Sequence, residues 1–90
     1  MIDQELLYKA LEKWGHETQV NKLQEETLEL ALILNQRNCP TKNPKRMEHE
    51  LYTELADVTI MMEQAKILFD KDKIDKYVKI QLEKLKKHLE

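Results

Sequence analysis

The sequence predicts an all-α protein: a compact helical bundle of three to four helices, with two long antiparallel central helices, assembled as a homo-oligomer. Three observations carry this prediction. Apolar residues recur at three- and four-residue spacing along most of the chain, the period of a helix that buries one face. One Gly and two Pro in 90 residues leave little room for the turns of a β architecture. Charged residues are 36% and apolar residues 41%, too apolar for a disordered chain and rich enough for amphipathic helices. The length suits a single domain, 1–90, near the small end of what folds alone.

Asp3 is placed to cap a first helix running to about Trp14, with Leu6, Leu7, Ala10, Leu11 and Trp14 at helical spacing. Gly15 is placed to end it in a left-handed turn. A second helix is expected from near Glu17 to Arg37, its main stripe Val20, Leu23, Leu30, Ala31 and Leu34. At 100° per residue, Lys22, Glu26, Glu29 and Ile33 form a column beside that stripe. The stretch from Asn38 to Asn43 is a loop, in which Asn43 is a good N-cap and Pro44 suits the first helical position.

From there a third helix is expected to reach about Phe69, with Met47, Leu51, Leu55, Val58, Met62, Ala65 and Phe69 as its stripe. Glu50, Glu54, Asp57 and Met61 run beside it. A break at 70–72 precedes a fourth helix capped by Asp72, with Ile74, Val78, Leu82, Leu85 and Leu89 as its stripe. Lys84, Lys86, Lys87 and His88 favour the negative end of its dipole. Leu28, Leu32, Ile60 and Ile67 lie on further faces, more apolar surface than so small a monomer hides. Self-association follows as an expectation.

The formal charge of −2 with Lys and Glu intermixed argues against nucleic acid as a partner, which needs a net basic face. The longest apolar run, Leu30 to Leu34, is far short of a membrane span. Cys39 is alone, which excludes an intramolecular disulfide and fits a reducing compartment and an inert thiol. The first residues lack the pattern of a signal peptide. A cytoplasmic protein with no membrane partner is the expectation.

The informative feature is a pair of acidic motifs. Glu26 with Glu29, and Glu54 with Asp57, are each three residues apart and so share a helix face. The short loop between the second and third helices favours antiparallel neighbours, and packing their stripes together carries both acidic columns to one edge. Clustered carboxylates repel unless something offsets them, and hard divalent cations take oxygen ligands. Ordinary amphipathic bundles also border their cores with Glu, so the pattern alone leaves a solvated acidic border open.

The segments from Lys22 to Leu30 and from Glu54 to Val58 resemble the MazG-like all-α nucleoside triphosphate pyrophosphatases, related to dimeric dUTPases and phosphoribosyl-ATP pyrophosphatases. That superfamily carries EExxE and then ExxD, here Glu25-Glu26-Thr27-Leu28-Glu29 and Glu54-Leu55-Ala56-Asp57, with 24 residues between them. Gln19 stands where many members have a Gln. The resemblance covers most of the chain from Trp14 to Val58. It implies Mg²⁺ held by Glu26, Glu29, Glu54 and Asp57, and hydrolysis of an NTP or dNTP between the α- and β-phosphates to NMP and pyrophosphate. It also implies a homodimer or homotetramer. The last helix departs from the family: around Lys79 it offers Lys but no Asn or Arg to reach the phosphates.

Glu25 and Glu29 are the candidates for the group that takes a proton from the attacking water. Trp14, Gln19, Lys22 and Lys79 are the candidate substrate-binding residues, and Glu50 is an additional ligand candidate. Each has a plainer role open to it: Trp14 closing a small core, Lys22 in an i,i+4 ion pair with Glu26, His16 as a cap. Two other functions fit the same residues, a non-catalytic helical oligomerisation module and a degenerate relative that binds nucleotide or metal without turnover.

Overall fold

Four helices follow one another with little connecting chain. The computed structural model describes residues 1–38 and 43–90, and its elements are α1 (Gln4–Trp14), α2 (His16–Gln36), α3 (Pro44–Leu68) and α4 (Lys71–Leu89). No strand occurs among the described residues, as the scarcity of turn residues predicts. The reading of Cys39 and of the middle of its loop falls outside the described residues.

Local signals set most of the boundaries. The Asp3 carboxylate accepts from the Glu5 N–H at 2.9 Å and opens α1, satisfying one of the free N–H groups of a first turn. Asn43 Oδ1 accepts from Lys45 and Arg46 N–H at 3.0 and 3.3 Å and opens α3, with Pro44 in the first turn. Gly15 is the entire connection between α1 and α2. Its φ of 84° is strained for any L side chain, and its N–H donates to Leu11 O at 2.8 Å while its carbonyl accepts from Gln19 N–H. One residue therefore ends α1 and opens α2, which begins at His16 rather than Glu17.

The fourth cap differs from expectation. Phe69 is extended and ends α3 early, so Asp70, not Asp72, is the last residue outside α4, and its carboxylate accepts from Lys73 N–H at 3.2 Å. Asp72 lies in the first turn, where its charge meets the positive end of the helix dipole.

α2 and α3 form the body of the molecule. Gln19 meets Gln64 while Glu26 lies beside Glu54, so one helix descends as the other rises, antiparallel as expected. The register of the contact corrects the sequence reading. Among its buried and half-buried positions are Gln19, Leu23, Glu26, Leu30 and Ile33 on α2, and Met47, Leu51, Glu54, Val58, Met61, Ala65 and Leu68 on α3, with Val20, Asp57 and Gln64 flanking them. Apart from the flanking residues, these alternate at spacings of four and three, the pattern of a knobs-into-holes seam.

Glu26 and Glu54 therefore lie in the contact, while Lys22 and Glu29 of the same columns stay exposed at its border. Leu34, Leu55, Met62 and Phe69, expected in the stripes, are exposed. The seam is rotated toward the polar column although the expected stripe, Leu51, Leu55, Val58, Met62, Ala65 and Phe69, repeats at the same four-three spacing, so spacing by itself does not select the face.

Five apolar side chains are buried among the described residues: Leu7, Met47, Met61, Ala65 and Leu68. At about 2 kcal/mol for each large side chain this is a thin core. α1 lies against it through Leu7. At the far end, His16 Nε2 hydrogen-bonds Leu68 O at 2.8 Å, and its ring meets Phe69 edge-on.

α4 buries no residue and leaves Tyr77, Val78, Leu82, Leu85 and Leu89 open to solvent. The radius of gyration, 16.1 Å, exceeds the roughly 12 Å of a compact chain this long. In place of the compact bundle expected, three helices pack and the fourth projects.

Candidate metal centre

Two seam positions that would ordinarily hold Leu or Ile hold Glu instead. Glu26 and Glu54 are each 5% exposed, and with the exposed Glu29 they offer carboxylate oxygens within 4.8 Å of one another. Helix geometry explains the gathering. Glu26 and Glu29 are one turn apart on α2, and the antiparallel seam delivers Glu54 from α3 between them.

Like charges this close are unstable without compensation. Lys22 provides part of it: its Nζ lies 2.9 Å from Glu26 Oε1 across one turn. That hydrogen bond holds the Glu26 carboxyl below its ordinary pKa and raises that of Lys22. The ion pair suggested by the sequence is therefore present.

Among the described residues, Glu54 has no such cation. Burial, followed by the closeness of the Glu26 and then the Glu29 carboxylate, pushes its pKa up to about 8. Glu26 Oε2 and Glu54 Oε1 are both buried without a hydrogen-bond partner. Buried polar atoms are ordinarily satisfied, so an orphaned oxygen on each of two facing carboxylates marks a place for a proton or a cation. The donor set is all oxygen and all hard, and three glutamates so arranged could hold a metal ion.

The other sequence candidates divide. Asp57 stands outside the 4.8 Å cluster but borders a recess of about 200 Å³ together with Lys22 and Glu26. Glu50 is engaged elsewhere, accepting from Arg46 Nε at 3.0 Å, which removes it from the centre. Lys79 lies on α4, which packs little against the rest, and it is not among the residues that line the two cavities beside the carboxylates.

A larger cavity of about 540 Å³ opens beside the acidic recess and shares Lys22 and Met61 with it. Trp14, Gln19, Lys22 and Glu25 all line it. Trp14 is 53% exposed, so it forms a wall of the cavity instead of closing the core, and Lys13 Nζ lies 5.2 Å from its ring centroid. Gln19 is buried at the floor. His16 caps neither helix beside Gly15 and turns instead to Leu68 O on α3.

The residue that the sequence reading missed is Gln64. It is 1% exposed, the most buried side chain described, and its Nε2 donates both to Leu7 O at 3.0 Å and to Gln19 Oε1 at 2.9 Å. The seven-residue recurrence of Met47, Glu54, Met61 and Leu68 is the signal that would have placed Gln64 one turn from a seam position and so inside.

No family model matches the chain, and neither a curated protein nor a solved structure shows significant similarity to it. Among the described residues, no helix is long and apolar enough to cross a membrane.

Proposed function

We propose that the protein is a Mg²⁺-dependent nucleotide pyrophosphohydrolase that cleaves an NTP or dNTP between the α- and β-phosphates, giving NMP and pyrophosphate. The observation that carries this reading is the pairing of orphaned, buried carboxylate oxygens on Glu26 and Glu54 at the side of a cavity of nucleoside size. An acidic cluster alone has little use for an adjoining cavity, and an apolar cavity alone has no use for buried acids. The resemblance of the EExxE and ExxD motifs to MazG-like enzymes points the same way.

Glu26, Glu29 and Glu54 would hold the cation, with Asp57 completing the set from the neighbouring recess. Bound there, Mg²⁺ would offset the phosphate charge and acidify the attacking water. Lys22, beside Glu26, is placed to meet a phosphate oxygen. Glu25 or Glu29 takes the proton as the water oxygen bonds to the α-phosphorus and the bond to the bridging oxygen breaks. Trp14 and Gln19 frame the base, and pyrophosphate leaves.

We further propose self-association, as a homodimer or homotetramer, in the cytoplasm. The open apolar face of α4, with Leu28 and Leu32 exposed on α2, supports it, because a helix of this length gains most of its stability by burying such a face. A partner subunit would also be needed to bring a Lys79 to the phosphates.

The test is pyrophosphate release from a panel of canonical and modified nucleotides, with Mg²⁺ and with chelator. Release that requires Mg²⁺ and disappears in Asp57→Asn is the expected result. No product together with no effect of Mg²⁺ on melting would favour a non-catalytic helical module. Mg²⁺ stabilisation without product would favour a binding protein that does not turn over.

A further inference from the structure

The geometry points to Gln64 as a positioning residue that locks the amide of Gln19, so that the cavity presents a hydrogen-bond donor and selects ligands carrying a ring carbonyl over those carrying an amino group. The inference rests on the reading of the cavity as a nucleobase site.

A glutamine amide ordinarily has two faces to offer, a carbonyl that accepts and an NH₂ that donates. A Gln free to rotate can therefore read either an oxo or an amino group. Gln19 is not free. Its Oε1 accepts from Gln64 Nε2 at 2.9 Å, which commits the carbonyl and leaves the NH₂ as the group available to a ligand.

The orientation of Gln64 is fixed in turn by Leu7, whose main-chain carbonyl takes its other N–H at 3.0 Å. A backbone carbonyl can only accept. Turning the Gln64 amide over would set its oxygen against that carbonyl and strand an N–H in the interior. The present orientation leaves Gln64 Oε1 without a partner, so it is the two acceptors on the nitrogen side that decide it. The chain of constraint runs from Leu7 O to Gln64 to Gln19, and ends at the cavity as a donor.

Uracil and hypoxanthine carry a carbonyl where cytosine and adenine carry an amino group. A site built to donate meets a carbonyl with a hydrogen bond and an amino group with two opposed donors. Leaving such a buried group unpaired costs roughly tenfold or more in affinity.

The experiment uses the whole protein with Mg²⁺ and follows the fluorescence of Trp14, the single tryptophan, which lines the same cavity. The probes are the 5′-monophosphates of uridine against cytidine and of inosine against adenosine, so the readout is independent of phosphate cleavage. The expected result is that the oxo member binds roughly tenfold more tightly in at least one pair.

Gln64→Glu replaces the donor by an acceptor, turns the Gln19 amide around, and reverses that preference. Gln64→Met frees Gln19 to rotate and brings the ratio toward one, which keeps the inference testable should Gln64→Glu fail to fold. A change in the ratio between two ligands is not what a merely destabilised core produces. Equal binding within both pairs, no response to any of the four probes, or a preference unaffected in folded Gln64 variants would overturn the inference. Discrimination without pyrophosphate release from any nucleotide would sustain it while removing the pyrophosphohydrolase reading.

Discussion

Removing the Glu54 charge should make the metal-free protein more stable at alkaline pH while taking one carboxylate from the proposed metal site. In Glu54→Gln the side chain keeps its shape but no longer titrates. In the wild type, the folded-state pKa is about 8 against an ordinary 4.5, so between those values the folded state holds a proton that the unfolded chain releases. Stability of the chelated wild type is therefore fully present below about pH 4.5 and falls as pH rises through about 8.

The full shift would correspond to roughly 5 kcal/mol. The centre lies at shallow depth in a slender molecule, where solvent screens part of the repulsion, and about 1 to 3 kcal/mol is the expected difference. Glu26 shifts in the opposite direction, so its contribution falls away only in acid, outside this window. For a domain of this size each kcal/mol moves the melting temperature by about 4–8 °C.

Thermal unfolding followed by circular dichroism in chelator, at about pH 5 and about pH 9, makes the comparison. The wild type should lose stability between the two while Glu54→Gln does not, and the variant should be the more stable at the higher pH. Added Mg²⁺ should rescue the wild type alone, by about 2.7 kcal/mol at a hundredfold excess over its dissociation constant. A chelated wild type as stable at the higher pH as at the lower, or a Glu54→Gln that melts earlier there, would refute the account of Glu54 as a buried acid awaiting a cation.

Three further outcomes follow. His16→Ala removes the hydrogen bond to Leu68 O and the edge contact with Phe69, and a loss of about 1 kcal/mol in chemical denaturation is expected. Asp70→Ala removes the cap of α4, costing about 1 kcal/mol, with faster amide exchange in the first turn of α4 as its signature. Leu82→Glu places a charge on the open face of α4, where Leu82 is 57% exposed. Light scattering should show the wild type larger than one chain and the variant nearer to it, and a wild-type monomer would contradict self-association.

What the sequence discloses and what it hides divide along a physical line. Caps at Asp3 and Asn43, the break at Gly15 and the antiparallel α2–α3 pair are legible because each depends on residues close together in the chain. The convergence of Glu26, Glu29 and Glu54 is foreshadowed by their spacing, which leaves a solvated border open and also predicts Asp57, outside the cluster. The rotation of the seam is not, because assigning Leu55 and Met62 to the core by their apolar character overlooks that a seam can hold Glu and Gln. Those residues mask the 4-3 repeat that actually faces inward. Gln64 is hidden for the same reason, and Asp70 because the point at which α3 stops is a tertiary outcome.

Gly15 joins the two rods through one pair of backbone torsions. Among the described residues, none beyond Gly15 and its two chain neighbours comes within 4 Å of where a side chain would begin there, so the restriction is torsional and not one of crowding. α1 carries Leu7, Ala10 and Trp14 into the cavity wall, which makes the breadth of that opening a function of a single elbow. The angle at which that wall stands is set by the one amino acid with no side chain, and the Gln64 hydrogen bond to Leu7 O pins it.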